Sequence, residues 1–125
     1  MPDGPRKRIL VVEDDEAVRG LITKALESSY EVTAAADGLI ATELLSSGPI
    51  PDLVIADVMM PHVDGITLTR RMKSDARLAR VPVILLSAKT GPRAIIRGIQ
   101  AGAKLYIEKP FVLSDLVARV KQILK

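Results

Sequence analysis

Residues Asp52–Gly65, DLVIADVMMPHVDG, decide how the rest of the chain is read. Leu53 to Ala56 is a short apolar run that ends abruptly on a carboxylate, Asp57. A Met-rich turn follows, then Pro61, which has no amide hydrogen to pair, and Asp64-Gly65 ahead of a helical pattern. Apolar residues bounded by turn signals read as a fully buried strand. A carboxylate at the C-terminal end of such a strand stands where open α/β sheets hold their chemistry.

Working upstream, Arg8 to Val12 (RILVV) is a second apolar run, closed by Glu13-Asp14-Asp15. From Glu16 the period becomes helical, with Val18, Leu21, Ile22, Ala25 and Leu26 on one face. Asp14 or Asp15 is available as its N-cap, and Asp15 is assigned that role. Tyr30 to Ala34 is a weaker strand pattern. Asp37 then caps a helix with Ile40, Ala41, Leu44 and Leu45 inward, which Ser46-Ser47-Gly48-Pro49 stops.

Downstream, a helix is predicted from about Gly65 to Lys73, with Leu68 and Met72 inward. Val81 to Leu86 reads as a fourth strand ending on Ser87-Ala88, with Pro82 tolerable only near its start. Gly91-Pro92 opens a helix with Ile96, Ile99 and Ala103 on one side. Leu105 to Ile107 is the fifth strand, followed by Glu108-Lys109-Pro110. The last helix points Leu113, Leu116, Val117, Val120, Ile123 and Leu124 inward; Val112 cannot cap it, so Ser114 and Asp115 in the first turn assist.

Five strand patterns therefore alternate with five helical ones across short connections. Strands separated by helices pair in parallel through right-handed crossovers, which gives a doubly wound α/β sheet covered on both faces. Residues 8–125 read as one domain behind a flexible lead-in, residues 1–7.

Composition narrows the function classes. Of 125 residues, 48% are hydrophobic and 26% charged, an ordinary globular balance, and only 2% are aromatic, so the core is aliphatic. The absence of Cys excludes disulfides and thiolate metal sites. No apolar run approaches the roughly 20 residues of a membrane span. The start, MPDGPRKR, has no apolar stretch behind its charges, so it is not a secretory signal, and a cytoplasmic location is expected. The net charge of +3 is scattered, and only Tyr30, Tyr106 and Phe111 offer aromatic rings, so direct nucleic-acid binding is not expected.

The polar candidates all fall just past strand ends: Glu13 and Asp14 after the first, Asp57 on the third, Ser87 on the fourth, Lys109 after the fifth. In a parallel sheet those ends share one edge. Three carboxylates brought together repel one another, and a hard dication relieves this. Mg2+ suits such a site because it accepts carboxylates while keeping waters and a phosphate oxygen in its octahedron. Lys109 adds a point charge for a phosphate, Ser87 a hydroxyl donor, and Asp57 becomes a carboxylate nucleophile toward phosphorus.

With ILVVEDDE, DLVIADVMMPHVDG, VILLSA and YIEKPF in order, residues 8–125 resemble the receiver domain of bacterial two-component response regulators, the CheY-like family. The resemblance implies a flavodoxin-like sheet in the order 2-1-3-4-5. It implies that Glu13, Asp14, Asp57 and the backbone carbonyl of Met59 hold Mg2+, with Mn2+ as a substitute. Asp57 then accepts a phosphoryl group, Ser87 and Tyr106 form the conformational switch, and the Lys109–Pro110 bond is cis. Implied partners are a sensor histidine kinase or phosphotransfer protein, and a downstream protein or covalently linked output domain. A homodimer through the helix 4–strand 5–helix 5 face is also implied.

Ile95 lies about 100° around its helix from Ile96 and so falls off the inward stripe. With Tyr106 it is expected on the partner face, rimmed by Arg93, Arg97, Lys104 and Arg119. Met59 and Lys89 sit where the family tunes loss of the phosphoryl group, and slow self-dephosphorylation is expected. His62 and Asp64 read as loop and helix-start residues. The chain is expected to catalyse only its own modification, and is not read as an enzyme. The rival readings are a degenerate receiver acting as a constitutive interaction module, and an aspartyl-phosphate hydrolase. The first usually lacks an acid or the lysine, and the second resembles Asp-x-Asp, where this chain has Asp57-Val58-Met59.

Overall fold

The computed structural model describes residues 6–88 and 92–125. Five strands, β1 (Arg8–Val12), β2 (Glu31–Ala35), β3 (Leu53–Asp57), β4 (Val83–Ser87) and β5 (Leu105–Glu108), form one sheet in the order β2-β1-β3-β4-β5. Every pairing is parallel, with Val12 opposite Ala35 and Ala56, Asp57 opposite Leu86, and Ser87 opposite Glu108. Helices α1 (Glu16–Leu26), α2 (Gly38–Ser47), α3 (Gly65–Lys73), α4 (Pro92–Ala101) and α5 (Leu113–Leu124) connect and cover it.

Successive strand residues point to opposite faces, so one run of aliphatics feeds two cores. Ile9, Val11, Leu53, Ile55, Ile84 and Leu86 pack against Ile22 and Leu26 of α1 and Leu116, Val120 and Leu124 of α5. Leu10, Val12, Val54, Ala56, Val83 and Leu85 pack on the other face with Ala41 and Leu45 of α2 and Leu68 and Met72 of α3. Every residue of β3 and β4 is buried, as parallel strands covered on both sides must be.

The caps fall where the sequence puts them. Asp15 Oδ1 accepts the amides of Ala17 (2.9 Å) and Val18 (3.1 Å), Asp37 that of Ile40 (2.9 Å), and Asp64 that of Thr67 (2.7 Å). Val112 gives α5 no side-chain cap. Of the lead-in, residues 1–5 lie outside the described residues, while Lys7 accepts the Glu31 amide and Arg6 Nη1 donates to the Glu27 carbonyl.

Several expectations need correction. The second strand is Glu31–Ala35, because Tyr30 N–H closes the turn onto Leu26 O (2.9 Å). The fourth starts at Val83, with Pro82 ahead of it, accepting the Val54 amide through its carbonyl. The inward stripe of α4 is Gly98 and Ala101, not Ile96 and Ile99, which are 51% and 46% exposed. Ile95, placed off that stripe, is half-buried, and Ala103 is buried but lies beyond the helix. The physical reason is close approach: α4 docks through a residue with no side chain, and the larger isoleucines are left outside. Leu21 and Ile40 also face outward, at 60% and 41% exposure. The Gly91 part of the α4 start signal and Lys89 lie outside the described residues.

Candidate phosphoryl-acceptor and metal site

The ladder register builds the site. Glu13 continues β1 by donating its amide to Ala35 O (3.0 Å), and Val58 continues β3 by donating to Leu86 O (2.8 Å). Lys109 N–H donates to Ser87 O (2.8 Å), so the residue after β5 is tied to the end of β4. The loop after β3 closes when Gly65 N–H donates to Val58 O (3.0 Å). A side chain at Gly65 would collide with the Asp57 carbonyl, so α3 can begin directly against the site only from glycine.

Glu13, Asp14 and Asp57 converge, each offering a carboxylate oxygen within 4.8 Å of the others. Glu13 and Asp57 are buried, and Asp14 is exposed. Lys109 Nζ donates to Glu13 Oε1 at 2.8 Å and to Asp57 Oδ2 at 3.1 Å. Glu13 Oε2 accepts the Asp15 amide (3.1 Å), and the Glu13 carbonyl accepts Arg19 Nη1 (2.9 Å). Ser87 is fully buried at the end of β4. Tyr106 is half-buried and packs against the core that holds Leu85. Met59 is 53% exposed on the loop beyond Asp57. The Lys109–Pro110 peptide bond is cis.

The electrostatics follow from burial and pairing. Burial holds the Glu13 carboxyl above its ordinary range, with the Asp57 charge adding to this, although the Lys109 and Asp15 hydrogen bonds pull the other way. Burial alone would lower Lys109, but the hydrogen bonds and charges of Glu13 and Asp57 outweigh it and raise its pKa. The lysine stays cationic between two carboxylates.

The donor set fits a hard divalent ion. All three side chains offer carboxylate oxygens, the ligands that Mg2+ and Mn2+ prefer. Their oxygens already lie within 4.8 Å of one another, near enough for all three to turn onto one ion. The Glu13 contacts from Arg19 and the Asp15 amide were not read from the sequence. They arise from how the chain turns into α1, and only the spacing of Arg19 one turn into that helix hinted at them.

Comparison with known proteins agrees with this geometry. Residues 9–121 match the family model of the response regulator receiver domain. The DNA-binding dual master transcriptional regulator RpaA of Synechocystis sp. is 39% identical over 94% of this chain and 49% of its own length. The chain thus spans about half the length of the curated relatives it matches. Among solved structures, the signal receiver domain of a signal transduction histidine kinase from Syntrophus aciditrophicus is 36% identical. It superposes with a TM-score of 0.86 over 94% of this chain and 89% of that one. The Mn2+-bound form of response regulator Rcp1 is 29% identical, with a TM-score of 0.80 over 94% and 91% of the two chains.

Proposed function

The chain belongs to the response regulator receiver domain family, and from that premise we propose that it is a phosphorylation-driven switch in which Asp57 accepts a phosphoryl group from the phosphohistidine of a sensor kinase or phosphotransfer protein. The observation that carries this reading is Lys109 Nζ held between Glu13 Oε1 (2.8 Å) and Asp57 Oδ2 (3.1 Å) beside Asp14. A degenerate receiver would be expected to lack one of these four groups.

In the transfer, an Asp57 carboxylate oxygen bonds to phosphorus as the donor's P–N bond breaks. The electron pair stays on the ring nitrogen, and the imidazole, protonated on its other nitrogen, leaves neutral. Lys109 would turn from its carboxylates to the phosphoryl oxygens, and Ser87 would donate its hydroxyl to another. Glu13, Asp14, Asp57 and the Met59 carbonyl would hold Mg2+, or Mn2+ in its place. That ion would supply positive charge to the transferred group. No separate substrate is turned over, so the chain is not an enzyme in the usual sense. The Ser87 shift would draw Tyr106 inward and bias the α4–β5–α5 surface. There Ile96 and Ile99 are exposed beside half-buried Ile95 and Tyr106, a surface for an output partner or a second copy.

Donor docking is supported beside the acceptor. A cleft of about 450 Å3, lined by Val18, Leu21, Ala88, Lys109, Pro110, Phe111 and Leu113, opens next to the site. Leu21 in its wall is 60% exposed, and Val112, between the lining residues Phe111 and Leu113 in sequence, is 61% exposed, apolar surface suited to a partner helix. Among the described residues no helix is long and apolar enough to cross a membrane. The kinase encounter would take place in the cytoplasm.

The test is intact mass after incubation with acetyl phosphate and Mg2+. A gain of about 80 Da that requires the metal and disappears in Asp57→Ala is expected. A folded, metal-binding protein that gains nothing would leave a constitutive interaction module as the better reading.

A further inference from the structure

At the sheet edge opposite Asp57, where the chain enters β4 and β5, lies a cleft of about 700 Å3. Its ten lining residues include four cations, Lys73, Arg80, Lys104 and Arg119, and no carboxylate. Among the described residues none of the four forms a carboxylate ion pair; the three ion pairs present involve Arg8 and Lys109. Lys73 Nζ donates to the carbonyls of Ala79 (3.1 Å) and Val81 (2.6 Å), which hold it in the cleft wall. Arg80, Lys104 and Arg119 are exposed around it. Like charges without carboxylate partners, focused in a concave site, make a positive potential that favours an anionic occupant.

We propose that this cleft binds an acidic peptide segment of a partner protein, seating one apolar side chain between flanking carboxylates. The floor decides between polyanions. Leu105 and Ile123, both half-buried, line it with apolar surface, which a peptide side chain can cover. No aromatic ring lines it, so it offers nucleic-acid bases no stacking platform. Its guanidinium groups suit carboxylates, which they grip in pairs. The cleft shares no residue with the Asp57 site, so occupancy and phosphorylation can be read separately.

The probe is a short fluorescein-labelled peptide of glutamates around a central leucine, titrated with the full chain and followed by anisotropy. Binding that weakens as salt is raised is expected, with a loss of about tenfold in Arg80→Glu/Arg119→Glu and a smaller loss in Lys104→Glu. All three positions are exposed, and thermal melting checks that each variant is folded. The same charge change on the β1–β2 side of the sheet, Lys7→Glu/Lys24→Glu, both exposed and away from β4 and β5, should leave binding within about twofold of wild type at about 0.15 M salt. Loss of binding equal to that of the cleft variants would show a general charge effect and overturn the proposal. No binding by the wild type at low salt would overturn it too. Tighter binding of oligothymidylate, lost in the same cleft variants, would replace the peptide with a nucleic acid.

Discussion

A methyl group on Gly98 would stand 2.8 Å from Cδ2 of Tyr106 and 3.1 Å from Leu85 Cδ1. The glycine is therefore what lets α4 and the Tyr106 ring share the surface over β4. In an open helix, Gly→Ala gains up to about 1 kcal/mol. Here overpacking opposes it by about 1–3 kcal/mol. Gly98→Ala is expected to be destabilising by up to about 2 kcal/mol, and to shift the Tyr106 ring signals in NMR spectra. Gly20, on the exposed side of α1 with nothing within 4 Å of an added Cβ, is the internal control. Gly20→Ala should stabilise by about 0.5–1 kcal/mol. Equal gains at both positions, by denaturant titration, would show that the ring yields freely.

Thr23 Oγ1 in α1 is a buried side-chain oxygen without a hydrogen-bond partner. A buried hydroxyl left unsatisfied keeps its desolvation cost and gains nothing. Thr23→Val replaces it with a methyl of the same shape, and both residues are β-branched, so helix propensity hardly changes. The variant is expected to be as stable as wild type or up to about 1 kcal/mol more so. A shift of the urea midpoint to lower concentration would mean that the hydroxyl is satisfied in solution.

The alternation of elements and the candidate site were legible because each rests on local chemistry. β-Branched runs closed by acids or turn residues mark β1, β3 and β4, and aspartates at 15, 37 and 64 cap their helices. Parallel pairing then carries Glu13, Asp57, Ser87 and Lys109 to one edge without any further information. What failed was the judgement of which helical face is inward. Counting only large apolar residues placed Ile96 and Ile99 in the core, whereas Gly98 and Ala101 are buried there. Close docking through small residues is a tertiary fact that periodicity does not carry. Leu21, on the helical face expected to be inward, is exposed for a related reason, since the surface around the site leaves apolar residues outside.

His62 has φ 69°, the one non-glycine residue with positive φ among those described. The Val63 amide donates to Pro61 O (2.8 Å) across it, the hydrogen bond of a γ-turn of the rarer, strained hand. A branched or bulky side chain pays for that backbone with about 1–2 kcal/mol, while glycine at the same place loses about 0.4–1 kcal/mol of unfolded-state entropy. His62→Gly should thus stabilise by about 0.5–1 kcal/mol, and His62→Val should destabilise. The chain is exposed there, so side-chain packing does not obscure the comparison, and thermal melting of the three proteins is enough to check it.

Glu13 links stability to pH and to metal. Its carboxyl is raised above 4.5 by burial, so the folded state holds that proton more tightly than the unfolded chain does. Stability from this group is fully present below pH 4.5 and is lost as pH rises through its higher folded value. Lys109, raised above 10.5, contributes stability that is kept below 10.5 and lost only as pH climbs through its folded value. As pH rises above 4.5 the metal-free protein therefore carries a growing Glu13 penalty, with Lys109 still charged. A divalent cation bound to the ionised cluster adds about 2.7 kcal/mol at a hundredfold excess over its dissociation constant, or roughly 10 °C in melting temperature. The expected result is a large Mg2+-dependent rise near neutral pH that shrinks as the medium is acidified and Glu13 takes up its proton. Chelator should reverse it. Glu13→Gln should abolish most of the metal effect and flatten the metal-free pH profile above pH 4.5. Melting curves whose Mg2+ shift is the same in wild type and Glu13→Gln would exclude Glu13 from the site.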